Sequence, residues 1–204
     1  MRPFTSLESH AVLLPADNVD TDQIIPARFL KITDRNGLAE HAFADWRYDA
    51  SGRPHADFPL NAPGARDAEI LVTGRNFGCG SSREHAAWAL DALGMRAIIS
   101  TSFADIFRAN ALSNGMLPVA LSEADHGSIV QELSRHATVT LRIDLASQTV
   151  TLPHDTSRRY AFSIDAFAKR CLLQGVDHLG YLLDAAAEIA AYEATHPASL
   201  CTTC

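Results

Sequence analysis

Between residues 69 and 136 the chain alternates short apolar runs with segments of helical period, and this alternation constrains the fold more than any other feature. Glu69–Thr73, Ala97–Ser100 and Leu117–Leu121 read as strands, and Arg83–Leu93, Ala104–Ser113 and Glu123–His136 as the helices that follow them. Ala87, Leu90 and Leu93 form one apolar stripe, which Gly94 ends. Asn114-Gly115 stops the second helix, and Ser122 is placed to cap the third. Strands separated by helices of this length predict a parallel sheet, because a parallel connection has to return across the sheet face.

The flanks read differently. His10–Leu14 is a short strand that leads into Asp17-Asn18-Val19-Asp20-Thr21-Asp22, a run of turn-forming and capping residues. Ile24–Leu30 is apolar but interrupted by Pro26. Residues 31–68 are irregular, broken by Gly37, Gly52, Pro54, Pro59, Pro63 and Gly64. A connection that long in a compact domain signals function or mobility rather than filler. Val139, Leu141, Ile143 and Leu145 alternate with polar residues, and Val150 and Leu152 follow a turn at Ala146-Ser147-Gln148, which predicts an antiparallel hairpin. A helix over Asp165–Leu173, ended by Gly175, and one long Ala-rich helix over Leu179–Ala194 close the pattern. The expected fold is a mixed α/β layer structure with parallel βαβ units, an added β-hairpin and a C-terminal helical tail. Residues 1–196 are expected to form one domain and residues 197–204 a disordered tail.

Composition narrows the function classes. The 204 residues are 47% apolar and 20% charged, with a mean hydropathy of -0.01. Such a chain buries roughly 70% of its unfolded surface and needs no disulfide or metal staple. Lys and Arg number 17 against 24 Asp and Glu, a net charge of -7, which repels phosphate backbones and argues against nucleic-acid binding. No run reaches the ~18 apolar residues of a membrane helix. The start, Met1 to Thr5, lacks a signal-peptide core, so a cytoplasmic protein with no membrane contact is expected. The cysteines at 79, 171, 201 and 204 match neither a zinc ribbon nor a ferredoxin run, so reduced thiols are expected.

Chemistry concentrates in Gly74-Arg75-Asn76-Phe77-Gly78-Cys79-Gly80-Ser81-Ser82-Arg83-Glu84-His85, between a predicted strand and a predicted helix. Open α/β sheets bind ligands at the carboxyl ends of strands. Gly78 and Gly80 permit backbone conformations closed to other residues and let a ligand approach. Ser81 and Ser82 can cap the helix, whose free N–H groups favour an anion, and Arg83 adds a fork for a carboxylate or phosphate. A plain capped helix explains the serines, but not Gly-Cys-Gly before them or an arginine inside the first turn. Cys79 offers a competing reading as a nucleophilic thiol near a helix N-terminus, set against a small residue packed in a tight turn. In Asn18–Gln23 the carboxylates suit metal binding, acid–base work or turn capping. Capping is preferred because no Glu or His completes an EF-hand set. The basic residues of Arg28–Arg35 are, from composition, solvated loop charges.

Taken together, Asn18–Pro26, Asn76–His85, Ser102–Phe107 and Asn114-Gly115 resemble the small subunits of the 3-isopropylmalate dehydratases, the leucine-pathway branch of the aconitase superfamily. Phe43–Tyr48 and Phe167–Leu173 are similar to the bacterial form, whereas Ser199–Cys204 has no recognised counterpart. The resemblance implies a domain like the swivelling last domain of aconitase. It implies a separate large subunit carrying a [4Fe–4S] cluster on three cysteines, no cofactor in this chain, and a small dicarboxylate substrate. The implied reaction is isomerisation of 2-isopropylmalate to 3-isopropylmalate by dehydration and rehydration.

Residue by residue, Ser81 matches the serine base of aconitase-like enzymes and Arg83 the arginine that grips a substrate carboxylate. Ser82 would support the base, Gly80 would let substrate near the backbone, and Asp22 matches an aspartate by the same site. The loop Ala27–Gly37 matches the segment to which substrate specificity is attributed. Phe29, Leu30 and Ile32 are its apolar candidates, and Arg35 lies near the place of a carboxylate-binding arginine. Cys79 would be structural, Cys171 a core residue, and Cys201 and Cys204 terminal thiols. Three other readings stay open at this point: a methylmalate, citraconate or homoaconitate hydratase subunit, a Cys79 thiol enzyme, and a non-catalytic small-acid-binding module.

Overall fold

The computed structural model describes residues 1–32, 35–136 and 138–196. Among the described residues there are seven strands: β1 (Ser6–Leu14), β2 (Ile70–Thr73), β3 (Ala97–Ser100), β4 (Leu117–Ala120), β5 (Thr140–Asp144), β6 (Thr149–Leu152) and β7 (Asp155–Ala161). They form one sheet in the order β4-β3-β2-β1-β5-β6-β7. β1 to β4 pair in parallel, and β1 pairs antiparallel with β5 on its other side, so β1 is the seam of a mixed sheet.

The parallel half is buried on both faces, as its composition demands. Ile70, Val72, Ala97, Ile99, Leu117 and Val119 point into one core, and Leu71 and Ile98 into the other. The first core is closed by Ile129 of α5 (Glu123–Arg135) and Leu172 of α6 (Ala166–Gln174). The second is closed by Ala86, Ala89 and Leu90 of α3 (Glu84–Ala92), Phe107 and Ala111 of α4 (Asp105–Ser113), and Ile24 of α1 (Thr21–Ile24). Ser122 caps α5 by accepting the Asp125 N–H, and Asp165 caps α6. Gly175 ends α6 in the left-handed conformation.

Three expectations change. The added hairpin is a three-stranded antiparallel extension, because β7 adds to β6. Its sequence lacks apolar alternation, and it is held by Arg158, which donates to Glu132 at 2.9 Å and to the Ser128 hydroxyl at 3.0 Å. The long C-terminal helix is two, α7 (His178–Asp184) and α8 (Ala186–Thr195), because Ala185 takes a non-helical conformation suited to neither. Ser81 and Ser82 do not cap α3. Arg83 is its N-cap residue and makes no side-chain capping bond. The described residues of the irregular stretch form short elements, among them α2 (Ala44–Arg47) and a 3-10 helix over Arg35–Glu40.

Candidate active site at the carboxyl edge of the parallel strands

β1 and β2 end side by side, with Leu14 opposite Thr73, so the loops that follow them leave the same edge of the sheet. The two loops then stay in register by continuing the ladder beyond the strands. Gly74 N–H donates to the Ala16 carbonyl at 3.0 Å, and Asn18 N–H to Arg75 at 2.8 Å. Gly78 N–H donates to Val19 at 2.8 Å, and Thr21 N–H to Cys79 at 2.9 Å. The loop after β3 joins on the far side, where Phe77 N–H donates to Ser102 and Ala104 N–H to Phe77. Asn18 and Asn76 both sit in the left-handed region, which asparagine tolerates, and Asn76 Nδ2 donates to Asn18 Oδ1 at 3.0 Å.

Two glycines are required by this packing. Gly78 has φ +75, and a Cβ there would lie 2.1 Å from Cγ of the buried Phe107. Gly80 has φ +88 and rests against Asp20 and Thr21. Gly80 is exposed on its outer side.

The chain then presents Ser81 and Ser82, both exposed, immediately before the nine-residue helix α3. The Ser81 carbonyl accepts the Thr21 hydroxyl at 3.0 Å. Arg83 is largely enclosed, with 16% of its side chain exposed, and its Nη1 donates to the Asp22 carboxylate. That bond holds the Asp22 carboxyl below the usual aspartate range, helped by the Ala27 backbone N–H. Asp22 thus links Arg83 to the first residue of the segment that follows Pro26. Glu84 opens α3 and accepts from Trp88 Nε1 and Asn114 Nδ2, which locks the first turn from its other side.

The other expected residues are placed as follows. Phe29, Leu30 and Ile32 are half-buried against the second core, and the Phe29 ring stacks on His41 at 4.0 Å. Phe29 also lines a cavity of about 660 Å³ with Arg28, Glu40, His41, Asp45 and Tyr48. Arg28 is solvated, as composition suggested, and is also paired with Asp45 there. Arg35 opens its 3-10 helix, but its side chain lies outside the described residues. So do Cys201 and Cys204. Cys79 Sγ donates to the Asn18 carbonyl at 3.3 Å, a packing role, and Cys171 is buried in α6, which pushes its thiol up. Among the described residues no three His, Cys, Asp or Glu side chains are placed to hold a metal, so a three-thiolate cluster does not fit them. Among them, too, no helix is long and apolar enough to cross a membrane. Sequence reasoning missed Thr21. Its signal was present, an oxygen-bearing residue between two capping aspartates, but nothing local pointed it at Ser81.

An exposed hydroxyl pair, a helix N-terminus and an oriented guanidinium on one edge of the parallel strands could hold an acidic small molecule. The family model of the aconitase C-terminal domain matches residues 1–124. The chain is 55% identical over 202 residues to the 3-isopropylmalate dehydratase small subunit of Chloroflexus aurantiacus, covering 99% of this chain and 100% of the relative. It is 54% identical over 203 residues to that of Roseiflexus castenholzii, covering 100% and 98% of the two chains. The crystal structure of a 3-isopropylmalate dehydratase from Methanocaldococcus jannaschii superposes with a TM-score of 0.68 at 27% identity, covering 92% of this chain and 99% of that one. The chain belongs to the family of 3-isopropylmalate dehydratase small subunits.

Proposed function

We propose that this chain is the small subunit of a cytoplasmic hydro-lyase that isomerises 2-isopropylmalate to 3-isopropylmalate through isopropylmaleate, in leucine biosynthesis. The observation that carries this reading is the full-length likeness to relatives bearing that name, on a chain whose glycine–serine loop is built as described. We assign the [4Fe–4S] cluster, a source of Lewis-acid chemistry, to the large subunit, because the relatives are small subunits and the two described cysteines lie apart, Cys79 in the loop after β2 and Cys171 in α6.

In this reading Ser81 Oγ removes the proton next to a substrate carboxylate as the hydroxyl departs, which leaves the carbon–carbon double bond. Water then adds in the opposite sense, with the proton returned from Ser81. A serine at neutral pH acts as a base only where its alkoxide is stabilised. The α3 N-terminus and the Arg83 guanidinium supply positive potential beside it. Arg83 grips a substrate carboxylate with the donors that Asp22 does not use, since a guanidinium has five. Ser82 supplies a second hydroxyl, and Gly80 keeps the approach to the backbone open. The Ala27–Gly37 segment, with Arg35 in it, is the candidate for recognising the rest of the substrate.

The test is anaerobic reconstitution with the large subunit, followed by turnover on isopropylmalate, methylmalate, citraconate and homoaconitate. Isopropylmalate is expected to be the preferred substrate. Ser81→Ala should lower kcat by about 10²- to 10⁴-fold with complex formation intact. Normal turnover by that variant removes Ser81 as the base.

A further inference from the structure

Thr21 is 2% exposed, and a buried hydroxyl must have a partner. The partner is the Ser81 carbonyl, 60 residues away in sequence. The Thr21 amide is committed as well, to the Cys79 carbonyl. Its helix cannot shift easily. Asp20 Oδ1 accepts the Gln23 N–H at 2.8 Å, while Gln23 Oε1 accepts the Asp20 N–H at 2.8 Å, a closed capping box. On the other side of Thr21, Asp22 holds Arg83. Two consecutive residues, Thr21 and Asp22, therefore grip the glycine–serine loop, and Thr21 is the one that touches the serine itself.

A trans peptide is planar, so holding the Ser81 carbonyl orients the Ser81–Ser82 peptide plane and restricts rotation about the adjoining Ser81 Cα–C bond, which sets where the Cβ points. We infer that Thr21 is a positioning residue: its hydroxyl sets the Ser81–Ser82 peptide plane and so aims the Ser81 hydroxyl. This rests on the reading of Ser81 as the base. Reactions that depend on oriented groups lose about 100-fold for a displacement near 1 Å, so the effect belongs in kcat.

The experiment uses the reconstituted two-subunit enzyme with Thr21→Val, Thr21→Ala, Thr21→Ser and Ser81→Ala. Thr21→Val and Thr21→Ala should lower kcat by about 10- to 100-fold, with KM for isopropylmalate within about twofold of wild type. Subunit affinity should stay near wild type, and the melting temperature of the complex should fall by no more than a few degrees, the loss of one buried hydrogen bond. Thr21→Ser, which retains the hydroxyl, should restore most of kcat. Thr21→Ala reads the same loss if Thr21→Val does not fold. Wild-type kcat in the folded variant lacking the hydroxyl overturns the inference. So does a Thr21→Ser defect as large as that of Thr21→Ala, or a loss that merely follows weakened subunit binding. An inactive Ser81→Ala beside a fully active Thr21→Ala overturns the positioning alone. A fully active Ser81→Ala overturns the base and the positioning together.

Discussion

Arg83 donates through Nη1 to the carboxylate of Asp22, across 61 residues of sequence, and so fastens the glycine–serine loop to the loop that follows β1. With Arg83 mostly enclosed and Asp22 half-exposed, the pair orients the guanidinium more than it stabilises the fold. A half-exposed ion pair is worth about 0–1 kcal/mol.

The consequence for Asp22→Asn is a functional loss without a large stability loss. The Asp22 pKa is lowered in the folded chain, so its contribution is present above the ordinary aspartate value of about 3.9 and is lost as pH falls through the folded value. The melting temperatures of wild type and Asp22→Asn should therefore differ slightly at neutral pH and converge in acid. In the reconstituted enzyme kcat/KM should fall roughly tenfold, as expected for one charged hydrogen bond. A kcat/KM equal to wild type would show that Arg83 needs no orientation from Asp22.

Gly78→Ala should unfold the chain at lower denaturant. The left-handed backbone costs a residue with a Cβ about 1–2 kcal/mol, and forcing that carbon into Phe107 adds about 1–3 kcal/mol. Gly64→Ala is the control. Nothing lies within 4 Å of its added Cβ, so a change of no more than about 1 kcal/mol is expected, in the stabilising direction. Urea melts of the two variants read the contrast, and equal midpoints would contradict the packing described at Gly78.

Asp49 offers a pH marker away from the site. Its carboxyl is lowered to about 2, chiefly by the Ser51 hydroxyl and then by the Arg53 backbone N–H. Any stability it contributes is held above the ordinary aspartate value and disappears as pH falls toward about 2. A carboxyl ¹³C titration should find this low midpoint. Ser51→Ala should move it up toward the ordinary range, and an unmoved midpoint would refute the assigned cause.

Cys79→Ser separates a packed thiol from a nucleophile. The serine hydroxyl can keep the bond to the Asn18 carbonyl, so turnover in the reconstituted enzyme should stay within about twofold, the effect of a change near 0.5 kcal/mol. Loss of activity in that variant, together with inactivation that tracks alkylation of Cys79, would restore the thiol-enzyme reading.

Much of the architecture was legible as period. β2, β3 and β4 are continuous apolar runs because both faces are covered, and the helices between them carry their stripes and stops in plain view. β7 was not legible, since Asp-Thr-Ser-Arg-Arg-Tyr-Ala has no alternation of its own. It forms because β6 offers an open edge and α5 offers Glu132 and Ser128 to Arg158. The break between α7 and α8 leaves no mark in an Ala-rich segment. The capping role expected of Ser81 and Ser82 failed for a related reason. Residue type predicts a cap only where the backbone enters the helix directly, and here Arg83 intervenes.

The sequence by itself determined the alternation of strands and helices, the glycines of the glycine–serine loop, and the candidates Ser81, Ser82 and Arg83, because each depends on neighbours a few residues away. Only the tertiary structure decided that Thr21 holds the Ser81 carbonyl and that Asp22 orients Arg83. Those bonds join residues some 60 positions apart. They exist because parallel pairing of β1 with β2 brings two carboxyl-end loops into register, and no local pattern encodes that meeting.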